Sequence, residues 1–325
     1  MIAYVLRRLA LLTISMILAI MVLFVLLRLL PGDPASTLIS IGAGQEQIEA
    51  AREQLGTDLP IGQQFVHFAG QLARLDLGTS FVSRRPVGAE IAARLSVTAP
   101  LTLLAFTLAI LIAVPLGIVA AVKADRWTGA ALSAVSQFGI ALPVFWVGII
   151  FVTVFAVHFR LLPSGGFPAA GWSEPIAVLR SFVLPVSTIA VVIASILVRY
   201  VRSATLDVIG SDYIRTARAL GATFSQALLR HGVRNGSVPV ISILGIELAT
   251  TFIGAVVVEQ VFTLPGLGSL LLTAIQQRDY PTVQGVLLVS TFLVLLVGFV
   301  ADFVQRIVDP RLRERVANSS VREAP

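Results

Sequence analysis

The sequence predicts an all-α membrane protein with six transmembrane helices, and three observations carry that prediction. The chain has 325 residues, 56% of them apolar and only 13% charged, and its mean hydropathy is +0.90, which is far from the composition of soluble domains. Five stretches contain no Asp, Glu, Lys or Arg: Leu9 to Leu27, Leu95 to Val122, Trp127 to Phe159, Ser181 to Val198 and Tyr280 to Ala301. A sixth, Asn235 to Val258, is interrupted only by Glu247. Each is roughly long enough to cross a hydrocarbon core that needs about 20 residues of helix. The runs are continuous rather than alternating, which favours helices over barrel strands.

Arg7 and Arg8 precede the first span in the manner of a secretory signal. Its 19 uncharged residues exceed the roughly 7 to 15 of a signal core, and no small-x-small cleavage site follows before Pro31-Gly32-Asp33-Pro34, so an uncleaved anchor is expected over residues 1–30. Residues 31–94 form a loop too long to be a mere connector. A helix is expected there from Gln45 to Leu55, with Ile48, Ala51 and Leu55 on its apolar face and Gly56 as its stop. This loop is expected to fold as a small cap on the outer face. Residues 95–308 carry spans two to six, and 309–325 form a polar tail.

Orientation follows from the cations. The chain carries 24 Lys and Arg against 18 Asp and Glu, a net charge of +6, but no basic run is interleaved with aromatics on a soluble module, so nucleic acid is not the expected partner. Placing the N-terminus in the cytoplasm leaves 15 cations inside and 9 outside, six of the latter between Arg28 and Arg94. A loop of that length escapes the positive-inside rule, so both termini are expected to be cytoplasmic. Zero cysteines exclude disulfides, thiolate metal sites and cysteine nucleophiles.

The longest expected cytoplasmic segment between spans, Arg202 to Asn235, reads as helix, glycine, helix. Ser211 is placed to cap a helix from Asp212 to Leu220, and Gly221 suits the left-handed residue that ends it. Thr223 followed by Gln226 is a capping-box pattern opening a second helix that runs to Gly232. Tyr213, Ala217 and Leu220 share one face of the first helix, while Arg215 and Arg218 share another at i, i+3. Such a short helix fits a groove on a partner protein. By periodicity alone it equally fits packing against the chain's own spans.

The segment Asp212-Tyr213-Ile214-Arg215-Thr216-Ala217-Arg218-Ala219-Leu220-Gly221, with Arg230-His231 and Arg234-Asn235, resembles the EAA loop of membrane subunits of binding-protein-dependent ABC importers, in particular the dipeptide, oligopeptide and nickel family. Further matches follow in order along the chain. They are Tyr4 to Leu9, Leu30-Pro31-Gly32-Asp33-Pro34-Ala35, Asp76-Leu77-Gly78-Thr79-Ser80, Arg85-Pro86-Val87, Leu162-Pro163-Ser164-Gly165-Gly166, Glu259, Pro265-Gly266-Leu267-Gly268, Asp279-Tyr280-Pro281 and Asp309-Pro310-Arg311. The resemblance implies half of a translocation pore in the inner membrane that performs no chemistry and needs no cofactor. It also implies the partners: a second homologous permease subunit, two ATP-binding subunits, an extracytoplasmic substrate-binding protein and the surrounding lipid. The residues matching the family's coupling helix are Arg215, Thr216, Ala217, Arg218, Ala219, Leu220 and Gly221. Arg215 and Thr216 depart from the Glu and first Ala of the general motif, as in the peptide-transport variant.

The chain has no Gly-x-x-x-x-Gly-Lys-Ser/Thr loop, and its one lysine, Lys123, lies at a membrane boundary, so nucleotide binding of that type is excluded. Glu247 lies near the middle of span five. An ionisable group at that depth costs roughly 2.5 to 3.5 kcal/mol on insertion scales, so it is expected to face a wet cavity or a partner. The related subunits usually carry a neutral amide here. Two roles stay open for the acid: contact with substrate in the translocation pathway, such as a peptide's amino terminus, and a structural hydrogen bond between spans.

Other candidates have local explanations. His67, His158 and His231 are too dispersed for a metal site. Ser164 lacks the surroundings of a nucleophile elbow and reads as a turn, as do Asp33, Asp76 and Asp279. A self-sufficient secondary transporter is expected to show internal repeats or several midplane polar groups. An intramembrane enzyme needs paired carboxylates or a Ser and His pair. Neither pattern is found, and within the resembled family nickel remains an alternative cargo to peptides.

Overall fold

The computed structural model describes residues 2–29, 44, 45, 49, 52 and 59–308. Gln45, Glu49 and Arg52 are helical. The rest of the helix expected from Gln45 to Leu55, the Pro31 to Pro34 segment with Asp33, and the tail at Asp309-Pro310-Arg311 lie outside the described residues. The described residues contain helices and connecting turns but no strand, with a single isolated bridge between Thr79 and Pro86. In chain order the helices are α1 (Ile2–Leu29), α2 (Ile61–Ala73), α3 (Val87–Val122), α4 (Trp127–Ala141), α5 (Val144–Phe151, continued by a π-helical segment Val152–His158), α6 (Pro175–Ile209) and α7 (Asp212–Ala219). After these come α8 (Phe224–Ala227, continued by a π turn Leu228–Gly232), α9 (Val233–Val261), α10 (Leu267–Gln276) and α11 (Tyr280–Val308).

Five helices are long and apolar enough to cross a membrane: α1, α3, α6, α9 and α11. The expected third span, Trp127 to Phe159, is not one straight rod. It breaks into α4 and α5, bent by 101°. Pro143 lacks an N–H and forces the preceding residue out of the helical region, and Leu142 is accordingly extended with ψ 126°. Counting the bent pair as one span gives six. Prolines inside α3, α6 and α9 do not end those helices, a tolerance common in membrane-crossing helices.

The chain divides into two compact units, residues 1–99 with 264–296 and residues 100–263 with 297–325. In the first, Phe24 of α1 meets Phe65 and Phe68 of α2, ring centroids 5.4 and 6.0 Å apart. The turn after α2 is locally built, with the Gly78 N–H donating to Asp76 Oδ1 at 2.8 Å. Asp279, just before α11, is buried at 4% exposure and accepts three hydrogen bonds. Ser80 Oγ donates to Oδ2 at 2.6 Å, the Phe81 N–H to Oδ1 at 3.0 Å and Thr282 Oγ1 to Oδ2 at 2.7 Å. Asp279 is therefore a long-range clasp as well as the helix-start residue that its turn reading anticipated. Nearby in sequence, the Leu267 N–H at the start of α10 donates to buried Thr98 Oγ1 of α3 at 2.8 Å.

The second unit is built around α6, which contacts α4, α5 and α9. Small residues permit these close approaches, as in other membrane helix pairs. Ser136 Oγ of α4 donates to the Ser195 carbonyl of α6 at 2.6 Å, and Gly139 lies directly against Ser195. The turn containing Ser164 packs on the end of α9: the Gly166 N–H donates to the Phe262 carbonyl at 2.7 Å. A Cβ on Gly165 would overlap that same carbonyl. Ser164 thus sits in a packed turn, as its Pro and Gly neighbours predict.

Candidate functional site

The segment between α6 and α9 is shaped by a short series of local signals. Ser211 occupies the N-cap of α7 with extended backbone, φ −77° and ψ 150°. Its hydroxyl does not cap the helix as expected but donates backward to the Val208 carbonyl at 2.5 Å, the alternative bonding that short polar side chains offer at helix ends. Asp212 in the first turn and Arg218 in the last complement the helix dipole. At the other end Gly221 adopts φ +95°. The Ala222 N–H bonds to the Ala217 carbonyl at 3.1 Å and the Gly221 N–H to the Arg218 carbonyl at 3.0 Å. That pair of bonds is a Schellman motif, which satisfies carbonyls the helix would otherwise leave open.

The expected capping box is formed at Thr223. The Gln226 N–H donates to Thr223 Oγ1 at 3.3 Å, and the Thr223 N–H donates to Gln226 Oε1 at 3.1 Å. The second helix does not stop at Gly232. α8 widens into the π turn Leu228–Gly232 and runs directly into α9, so the loop and the fifth expected span share one helical backbone.

What fastens α7 was missed in the sequence. Ile214 is 2% exposed and packs in a cluster with Val208, Ala227 and Leu228, flanked by Ala217, Ala222 and Phe224. The face expected to hold Tyr213, Ala217 and Leu220 together is therefore split. Ala217 joins the cluster, while Tyr213 is 38% and Leu220 83% exposed. A helix of two turns offers Ile214 with Ala217 at i, i+3 as readily as Tyr213 with Ala217 at i, i+4, and the larger branched residue takes the buried side. Arg215, Thr216, Arg218 and Ala219 are exposed. Arg215 makes a solvent-facing ion pair with Asp212 at 3.3 Å, and the Arg218 guanidinium lies 5.9 Å from the Phe224 ring centroid. The outcome is a rigidly held helix with an outward surface of two guanidinium groups beside Tyr213 and Leu220.

Glu247 is not part of that surface. It lies on α9, about five helical turns beyond Leu228. Its side chain is partly buried, and Thr250 Oγ1 lies 3.4 Å from Oε2 while also bonding the Glu247 carbonyl at 3.0 Å. Thr251 Oγ1 donates to the same carbonyl. Around Glu247, Ile246, Thr250, Ile253 and Val257 are exposed in a stripe of 3–4 spacing, and open space adjoins Gly254. Among the described residues, no helix of the chain covers this face. A carboxylate cannot rest against hydrocarbon there without a large cost, so the stripe fits a water-filled path or another protein chain.

Comparison with known proteins places these features in context. Residues 113–314 match the family model described as "Binding-protein-dependent transport system inner membrane component", and residues 1–102 match the model for the N-terminal part of such components. The glutathione transport system permease protein of Escherichia coli (strain K12) is 35% identical over 313 residues, covering 96% of this chain and 99% of that protein. Its counterpart in Salmonella typhimurium (strain LT2) is 36% identical with the same coverage. Among solved structures, the inward-facing MetNI methionine ABC transporter aligns with TM-score 0.56 at 20% identity. That alignment covers 67% of this chain and 96% of the matched chain, a likeness of fold.

Proposed function

This chain belongs to the family of binding-protein-dependent transport system inner membrane components, and from that premise we propose that it imports short peptides as one half of a two-subunit pore driven by separate ATP-binding subunits. It is a multi-pass permease subunit of an ABC importer in the inner membrane. The peptide reading is supported by relatives named for glutathione transport, since glutathione is itself a short peptide, and by the peptide-type variant of the loop at Arg215 and Thr216.

The observation that carries the mechanism is the exposed, firmly capped helix α7. Arg215, Thr216, Ala217, Arg218, Ala219, Leu220 and Gly221 form the element that seats in a groove of an ATP-binding subunit on the cytoplasmic side, where both termini also lie. Ile214 and the Gly221 cap fix its angle, so closure of the ATPase pair displaces the helix as a body and shifts the pore between inward- and outward-facing states. Residues 31–94 form the outer-face loop domain that meets the substrate-binding protein, 95–308 the permease core and 309–325 the cytoplasmic tail. Glu247 lines the translocation pathway.

The test of the assembly is affinity purification of the tagged chain from native membranes in mild detergent, with co-purifying proteins identified by mass spectrometry. Two ATPase-type chains and a second permease are expected; recovery of the chain alone, under conditions that preserve other complexes, would reject the assembly. The test of the pathway is Glu247→Gln. Preference between cationic and neutral peptides is expected to move by roughly tenfold, the worth of about 1.4 kcal/mol, with expression unchanged. Unaltered preference would return Glu247 to a structural role.

A further inference from the structure

The second unit contains a cavity of about 280 Å³ between α3, α5 and α6, well apart in sequence from α7 and Glu247. Its walls include Leu108, Ile112, Phe155, Val183 and Val191, with Ser187 supplying the polar contribution from α6. Val183, Ser187 and Val191 follow one face of α6 over about 12 Å, so the space is an elongated groove. Its walls are apolar in a segment that crosses hydrocarbon, and Phe155 of the π-helical segment after α5 is part of the lining.

One end of this groove is marked by charge. Leu162 lines it, and Arg180, one turn before Val183 on α6, donates from Nη2 to the carbonyl of Leu161 at 3.3 Å. Arg160 follows Phe159 in a left-handed turn with φ +52°, two residues before Leu162. Both arginine side chains are exposed. The same end carries the ring cluster of Phe167, Trp172 and Phe182, with centroids 6.0 to 6.4 Å apart. Exposed Trp172 and Phe159 beside arginines are the side chains that settle at headgroup level. We infer that this groove binds one anionic phospholipid, its acyl chain lying between α3, α5 and α6 and its phosphate held by Arg160 and Arg180. Charge complementarity decides the occupant: the groove takes a chain, and Arg180, bonded to Leu161 beside the lining residue Leu162, with Arg160 next in the chain, supplies the cationic end that selects the phosphate. A guanidinium holding a carbonyl through one N–H keeps four further donors for phosphate oxygens.

Trp172, 6.0 Å from the Phe182 ring next to Val183, serves as the reporter. The full chain, with Trp127→Phe and Trp146→Phe, would be reconstituted in phosphatidylcholine vesicles containing phosphatidylglycerol or phosphatidylcholine brominated at the 6,7 carbons. At equal mole fraction, phosphatidylglycerol is expected to quench Trp172 with a preference of roughly fivefold per guanidinium. R160Q with R180Q should bring the preference to about one, and R180K should restore part of it, which separates charge from misfolding. V191F should reduce quenching by both lipids through filling the groove. A wild-type preference near one, or a preference unchanged in the double variant, would overturn the headgroup site. Undiminished quenching in V191F would overturn the seat of the acyl chain.

Discussion

Two connecting regions of this molecule are held by opposite means. The segment from Gly210 to Gly232 is assembled from neighbours: a Schellman turn at Gly221 with φ +95°, a capping box at Thr223 and Gln226, and a small buried cluster of Ile214, Ala227 and Leu228. The turn from Asp76 to Val87 is fastened instead by Asp279, whose bonds to Ser80 and Phe81 span 199 and 198 positions of sequence. A locally encoded segment keeps its shape while presenting most of its surface outward, which the docking role proposed for α7 requires. A segment tied by a buried carboxylate is rigid only when a distant part of the chain is in place.

Substitutions can break or sharpen this contrast. The largest effect is expected from Gly221→Pro, which demands φ near −65° where the chain adopts +95°. Peptide uptake should fall to background while the protein still inserts, as read by transport in whole cells against membrane-fraction immunoblots. Uptake at wild-type level would show that the turn after α7 plays no part in transport. Next is Asp279→Ala, which strands the Ser80 hydroxyl and the Phe81 N–H and should cost about 3 kcal/mol. Denaturant unfolding in detergent measures it, and Asp76→Ala, losing a single exposed bond, serves as the mild control. Ile214→Ala should cost about 2 kcal/mol, concentrated in the loop. Faster amide exchange over residues 212–227 with unchanged exchange around Ser80 would confirm local encoding. The smallest effect is expected from Thr223→Ala, about 1 kcal/mol for loss of the cap, visible in the same exchange experiment at the start of α8.

The same contrast explains what the sequence made legible. The helical class, the membrane-crossing stretches, the Gly221 stop and the Thr223 capping box all depend on residues within a few positions of one another, and each was readable. The bend at Pro143 is hidden because the stretch from Trp127 to Phe159 satisfies hydropathy throughout, and hydropathy carries no directional information. Ile214 is not singled out by the sequence because an eight-residue helix offers two competing apolar faces, and the choice between them depends on Val208, Ala227 and Leu228. Asp279 was readable as a turn residue from Pro281, but its bond to Ser80 pairs two turns whose separation leaves no trace in local pattern. Glu247 stood out by charge alone. The uncovered stripe around it could be found only once α9 had been packed.

The unbroken helical run from Phe224 through the π turn to Val261 has a mechanical consequence. Roughly 55 Å long, it works as a torsion shaft. Twisting one end by about 10° sweeps a side-chain tip some 5 to 6 Å off the axis through about 1 Å, enough to carry a carboxylate into or out of reach of a ligand. The π turn at Leu228–Gly232 interrupts the regular i to i−4 ladder and is the place on this run where such a twist would be absorbed or passed on. On the coupling role proposed for α7, torque applied beside it would reach Glu247 along this one backbone, through both the π turn and Pro239.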